Sequence, residues 1–304
     1  MENAGQGKLK VAKQPLISPL VKGYFVITFV LFIWSSFALS IRAIGHSPLA
    51  PADVALIRFL TPILILSPFI PVRFKAMSKV RISDLLLILL GGVPFFFFAA
   101  LGAKSAPTAC VGTLLAGTPP FFVALLLWAF CKQQISKIRA IALALVLIGV
   151  CTMLTAYISV MSTEIIVGLT FLICASFAWA LYTIGLKRTK LDVISITFLI
   201  SICSLCITEI LIWSGIVESH WGTFSLNDAL PFIVVQGLLV GLLATMGYSY
   251  AVNQLGSTQA STIGSLSPGL TALLAVPVFN ESLSSVIVLG IFLTMSGVAL
   301  SNRF

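Results

Sequence analysis

The chain has 304 residues, 59% of them hydrophobic and only 9% charged, with a mean hydropathy of +1.12. That balance excludes a soluble globular domain and marks an integral membrane protein. The net charge of +9 and pI near 9.5 suggest a nucleic-acid partner only until the basic residues are located: they cluster beside apolar runs and read as orientation signals.

The chain opens with a basic tail, residues 1–23, carrying Lys8, Lys10, Lys13 and Lys22 and read as a cytoplasmic extension. The apolar run behind it is about 20 residues long and lacks a small-residue cleavage site, so it reads as a first span and not as a removed signal peptide. Ten spans are expected: Tyr24–Ala43, Ala52–Val72, Asp84–Ala103, Thr108–Phe130, Ser136–Tyr157, Ile165–Leu186, Val193–Ser214, Ala229–Val252, Thr258–Phe279 and Ser285–Ser301. About 20 residues at about 1.5 Å rise cover the roughly 30 Å of a bilayer core. The short connections make neighbouring spans antiparallel. With the N-terminus inside, fifteen of the eighteen Lys and Arg fall on the cytoplasmic side and only Arg42, Arg58 and Lys104 on the other. The expectation is a multi-pass protein of the cell (inner) membrane with both termini cytoplasmic.

The segment Gly237–Ser284 is a hairpin of two apolar runs joined by Asn253–Ser257, with Pro268 set among Gly264, Ser265, Ser267 and Gly269. A proline there leaves the Gly264 carbonyl without its helical donor, which lipid tolerates only beside protein or a wet cavity. The same hairpin occurs earlier at a constant offset of 149, pairing Gly92 with Gly241, Thr113 with Thr262 and Pro119 with Pro268. After a gap, Gln134–Val150 matches Ser282–Val298; upstream, at offset 145, Trp34 pairs with Trp179 and Arg42 with Lys187. The chain therefore reads as all-α, ten transmembrane helices in two five-helix repeats, 24–157 and 165–302. Five is odd, so the second repeat enters the membrane inverted. Inverted repeats are a hallmark of secondary transporters, whose site lies at the repeat interface near the midplane.

Trp34 with Ser35 and Ser36, Pro51, the LIRFL around Arg58, SAPTACVGTLLAGTPPFF, AWALY at Ala178–Tyr182, the LGSTQASTIGSLSPGLTALLAVPVFNESL stretch and SGVAL together resemble the EamA-type family of the drug/metabolite transporter superfamily. The resemblance spans nearly the whole chain and occurs twice. It implies a ten-span exporter or permease of small metabolites, amino acids among them, with no ATP-binding domain and no cofactor. Some members run as proton antiporters. Glu281 occupies the family's usual glutamate position, whereas the first half has Gln133 there.

The candidate site residues are Trp34, Arg58, Pro119, Trp179, Tyr182, Glu209, Tyr248, Ser265 and Pro268. Pro119 and Pro120 free the carbonyls of Leu115 and Ala116 as Pro268 frees that of Gly264, so two discontinuous helices are expected to face one another across a central cavity; simple packing kinks are the competing reading. Arg58 and Glu209 each lie roughly 6–8 Å from the midplane on the outward side of their spans. They form an ion pair or flank a polar cavity, unless Glu209 snorkels outward beside Trp213. Trp34, Trp179, Tyr182, Tyr248 and Tyr250 offer aromatic surface with polar handles to a solute, or pack the core. Phe95–Phe98 point all round their helix and receive no role in the site. Gly237 and Gly241 form a GxxxG step read as packing within the bundle, with a homodimer as the alternative to a monomer.

The six cysteines lie in or at the ends of apolar runs, and none has the spacing of a metal site, so neither a metal nor a catalytic group is expected. A membrane-embedded enzyme would need convergent nucleophiles or metal ligands, yet the two histidines, His46 and His220, fall in outward loops. The partners are a small-molecule substrate and the bilayer. The leading function is a secondary transporter exporting amino acids or similar solutes by alternating access. The alternative is a multidrug or other permease working as importer or uniporter.

Overall fold

The computed structural model describes residues 18–156, 162–264, 266–279 and 284–301, and every regular element among them is helical. The first two spans are continuous helices, α1 (Pro19–Ile44) and α2 (Pro51–Leu66, extended by a 3-10 turn at Ser67–Phe69), each opening with proline in its first turn, where no helical partner for the missing N–H is lost. A single turn, α3 (Phe74–Met77), crosses to the third span. That span is divided at Gly91–Gly92 into α4 (Ile82–Leu89) and α5 (Val93–Ser105). The fourth is divided at Thr118 into α6 (Thr108–Gly117) and α7 (Pro119–Cys131), and α8 (Lys137–Thr155) completes the first half.

The second half begins with α9 (Thr163–Arg188) and α10 (Val193–Trp213). Its third span runs from α11 (Leu226–Phe232) through a π-helical stretch, Ile233–Ala244, into α12 (Thr245–Leu255). The fourth is divided into α13 (Ser257–Gly264) and α14 (Ser267–Phe279), and α15 (Ser285–Ser301) closes the chain. Among the described residues nine segments are long and apolar enough to cross a membrane; the tenth, α15, is apolar and shorter at 17 residues. The ten expected spans thus correspond to ten helical segments; the differences lie at their ends, in the division of the third span at Gly91–Gly92 and in the π-helical stretch of the eighth.

Small residues set the packing. The fifth spans of the two halves, α8 and α15, lie in backbone contact: a Cβ on Gly149 would meet Thr294 Oγ1 at 2.4 Å, and one on Gly290 would meet the Gly149 carbonyl oxygen at 2.7 Å. Gly241 and Gly237 press α2, with a Cβ at Gly241 falling 2.5 Å from the Arg58 carbonyl oxygen. The GxxxG step therefore serves packing within the chain.

The two ends of the bundle differ in chemistry. One carries the ion pairs Arg73–Asp192 (2.7 Å) and Arg188–Asp84 (3.0 Å), together with Lys187 Nζ donating to the Asn253 carbonyl. Burial raises the Asp192 carboxyl, but the hydrogen bonds from Ser195 and Arg73 and the Arg73 charge outweigh it and hold the group below its ordinary value. At the opposite end the Asp53 carboxylate is held by the backbone N–H groups of Ala50 and His220 and by the Ser219 hydroxyl. That clasp pins the loop after α10 onto the start of α2.

Candidate functional site

The two divided helices cross at their breaks. α6 packs on α14 and α7 on α13, and a Cβ on Gly117 would lie 3.6 Å from Pro268 Cγ. Pro268 is therefore seated against the residue that precedes the Thr118–Pro119 break. The expectation that Pro119 and Pro268 face one another across a cavity needs correction: both are buried, the breaks touch, and the cavity lies beside them. The physical reason is that glycines flank both breaks, so the backbones close on each other. Thr118 staples the first break, donating to the Leu114 carbonyl (2.8 Å) and bonding Ser176 on α9 (2.6 Å). At the second break the ring of Trp34 lies on Gly264, where a Cβ would fall 2.7 Å from Trp34 Cζ3. Ser265, expected in the site, lies outside the described residues, as does Glu281.

The cavity next to this crossing has a volume of about 30 Å³. Both halves line it: Trp34, Phe37 and Ala38 of α1, Arg58 of α2, Phe95 of α5 and Gly112, Leu115 and Ala116 of α6 from the first; Trp179 of α9, Val240 of the π-helical stretch and Ser267 of α14 from the second. Pro119 and Pro120 have no N–H to return to the Leu115 and Ala116 carbonyls, so the cavity wall carries backbone acceptors by covalent structure alone. The volume suits a water or two and falls far below the roughly 300–1,000 Å³ of a metabolite site.

Toward the Lys/Arg-rich end the cavity is sealed by aromatic rings. Trp34 meets Trp179 edge-on with centroids 5.5 Å apart and Tyr248 at 5.0 Å; Trp179 in turn lies 4.8 Å from Tyr182. Hydroxyls lock the layer: Tyr248 bonds Thr183 (2.9 Å) and Ser261 (3.0 Å), and Tyr182 bonds Ser249 (3.4 Å). Tyr182 reaches its place because Gly91 lacks a Cβ, which would stand 2.6 Å from the ring. Tyr250 is not part of this cluster. It lies on a different face of α12, in a groove with Phe25, Val26 and Met246.

Toward the opposite end stands Arg58, 4% exposed. Its Nη1 donates to Gln236 Oε1 (2.9 Å), and Gln236 Nε2 donates to Ser40 Oγ (2.7 Å). The guanidinium sits 5.1 Å from the Phe37 ring centroid, 5.7 Å from that of Phe96 and 6.0 Å from that of Phe59. The proposed pair with Glu209 is not formed. The buried face of α10 is the hydroxyl-rich row Thr197, Ser201, Ser204 and Thr208, and Glu209, one residue past it, turns to the exposed face near Trp213. Gln236 takes the place assigned to Glu209.

Sequence reasoning also missed Phe95 and Phe96. Phe95 packs against Trp179 with ring centroids 4.7 Å apart and lines the cavity, while Phe96 lies under Arg58. The signal available for Gln236 was a lone amide in a long apolar run. For Phe95 there was none, because four consecutive phenylalanines conceal which one points inward. Phe97 and Phe98, on another face of α5, line a cleft of about 1030 Å³ that also carries Arg42, Lys104 and His220. α5 is thus the wall between cavity and cleft.

A profile of the EamA-like transporter family matches residues 21–155 and 166–303. The chain belongs to that family. Each match covers one five-span half, so this EamA-like transporter carries the family unit twice. It is 29% identical over 245 residues to an uncharacterized transporter of Synechocystis sp., covering 76% of this chain and 67% of that protein. It is 23% identical over 294 residues to an uncharacterized transporter of Clostridium kluyveri, covering 91% of each. A solved crystal structure superposes with a TM-score of 0.68 at 16% identity, over 92% of this chain and 96% of that one, a likeness of fold. The EamA-like transporter is a multi-pass membrane protein.

Proposed function

We propose that the protein is a secondary transporter exporting small polar or amphipathic metabolites, amino acids foremost, by alternating access between its two halves. The observation that carries this reading is the small central cavity walled by both repeats at the crossing of their two broken helices. Discontinuous helices meeting near the midplane are the usual means by which a bilayer-embedded protein offers polar backbone to a solute. At about 30 Å³ the cavity is contracted, and a metabolite enters only after the walls separate.

α5 is the wall placed to move. It has the cavity on one side and the large cleft on the other, and it is joined to α4 through Gly91–Gly92. A swing about that glycine pair would merge the two spaces. The aromatic layer of Trp34, Trp179, Tyr182 and Tyr248 would then act as the gate on the cytoplasmic side, with Pro119 and Pro268 as the points about which the half-helices flex. The Lys and Arg asymmetry supports both termini being cytoplasmic in the inner membrane, and the two halves 24–157 and 165–302 are the proposed moving units.

The test is flux in proteoliposomes with a panel of labelled amino acids and other metabolites, with and without a pH gradient. Saturable flux of at least one solute is expected. Absence of saturable flux for every solute would overturn the reading.

A further inference from the structure

Arg58 is a buried cation with an incomplete set of partners. Of its five N–H donors, one is used among the described residues, by the neutral amide of Gln236. Three phenyl rings within 6.0 Å of the guanidinium offset part of its desolvation. A carboxylate is what such a site ordinarily contains, since a buried charge costs several kcal/mol unless paired. Every described acid is committed elsewhere. Asp53 is clasped at one end of the bundle, Asp84 and Asp192 pair with Arg188 and Arg73 at the other, and Glu164, Glu209, Glu218 and Asp228 are exposed.

The side chain also lines the central cavity, and one further element presents positive potential to the same space. Ser267, the first residue of the 13-residue helix α14, lines the cavity opposite Arg58's half of the molecule. A helix N-terminus carries unpaired N–H groups and the positive end of the helix dipole. The remaining walls are the rings of Trp34, Phe37, Phe95 and Trp179. The three phenyl faces around Arg58 favour a singly charged, planar head over a doubly charged, heavily hydrated one.

We propose that the missing counter-ion of Arg58 is the substrate's own carboxylate, bound between the guanidinium and the start of α14, with an apolar or aromatic body against the ring walls. This assignment rests on the transporter reading only for what happens after binding. An incoming carboxylate completes the donor set that Gln236 leaves open, in the planar two-pronged geometry that guanidinium and carboxylate share. Leu115 and Ala116, whose carbonyls Pro119 and Pro120 leave without helical donors, line the same cavity, which would give a zwitterionic amino acid acceptors for its ammonium.

The experiment is binding to the full-length protein in detergent, read by quenching of tryptophan fluorescence, with flux in proteoliposomes measured on the same preparations. The probes are 3-phenylpropionate, phenylalanine, phenethylamine and phenyl phosphate. Wild type is expected to bind the two carboxylates at least about tenfold more tightly than the amine or the phosphate. Arg58→Lys, which keeps the charge but loses the two-pronged geometry, should weaken carboxylate binding by several-fold, and Arg58→Met should lose it by about tenfold or more. Gln236→Glu serves as a second variant of nearly unchanged shape: it places a carboxylate against Arg58 and should abolish carboxylate binding while sparing the amine. Wild type preferring amine or phosphate, or Gln236→Glu folding normally and binding carboxylates within threefold of wild type, would overturn the proposal. Carboxylate binding without flux of any probe leaves this assignment standing and counts against the transporter reading instead.

Discussion

The two layers that enclose the central cavity solve the burial of polar groups in different ways. On the Lys/Arg-rich side, four aromatic residues are neutral, and the tyrosine hydroxyls are satisfied by Thr183, Ser249 and Ser261. On the other side, one guanidinium is held by one amide and three ring faces. The first layer is complete without a ligand. The second is short of an anion, and that difference separates a seal from a receptor.

The largest effect on this contrast should come from Gln236→Leu, which leaves the buried Arg58 without its hydrogen-bond acceptor. Loss of a hydrogen bond to a charged group predicts about 1.5–3 kcal/mol of destabilisation, read as a lowered thermal midpoint in detergent. Next comes Gly91→Ala. The new Cβ would sit 2.6 Å from Tyr182 Cγ, at the root of the ring where a rotamer change gives little relief. Overpacking of about 1–3 kcal/mol is expected, together with slower flux if α5 turns on this pair. Equal flux rates for variant and wild type would remove Gly91–Gly92 from the gate.

Tyr248→Phe probes the neutral layer. It deletes the hydroxyl shared by Thr183 and Ser261 and keeps the ring against Trp34 and Trp179, so about 1 kcal/mol of stability should be lost and carboxylate binding should stay near wild type. A tenfold fall in affinity would instead make the Tyr248 hydroxyl part of the receptor. The smallest effect belongs to Glu209→Gln. An exposed side chain off the buried face of α10 should change stability by less than about 0.5 kcal/mol and leave binding unchanged, and additive losses with Arg58→Met would be the expected double-mutant outcome.

Much of the architecture was legible in the chain. Apolar runs of bilayer length, the offset of 149 and the paired prolines foretold ten segments, two repeats and two broken helices. Trp34, Arg58, Trp179, Tyr182 and Tyr248 were singled out for keeping polar or aromatic groups in lipid; Trp34, Arg58 and Trp179 line the cavity, while Tyr182 and Tyr248 stand in the aromatic layer beside it. The partner of Arg58 was misassigned because charge was matched with charge. Which face of α10 turns inward is decided by its packing on α2, and that packing buries the hydroxyl row and leaves Glu209 outside.

The sequence by itself determined the class of molecule, the number of its apolar segments and the repetition of one unit, because hydropathy, segment length and proline chemistry are local properties. Only the tertiary structure decided that the two breaks touch, that Phe95 rather than its neighbours enters the cavity, and that a neutral glutamine, 178 residues away in the chain, holds the buried arginine. Those facts depend on how each helix is rotated against the next, and rotation in an almost uniformly apolar bundle is set by which small residues let the backbones approach.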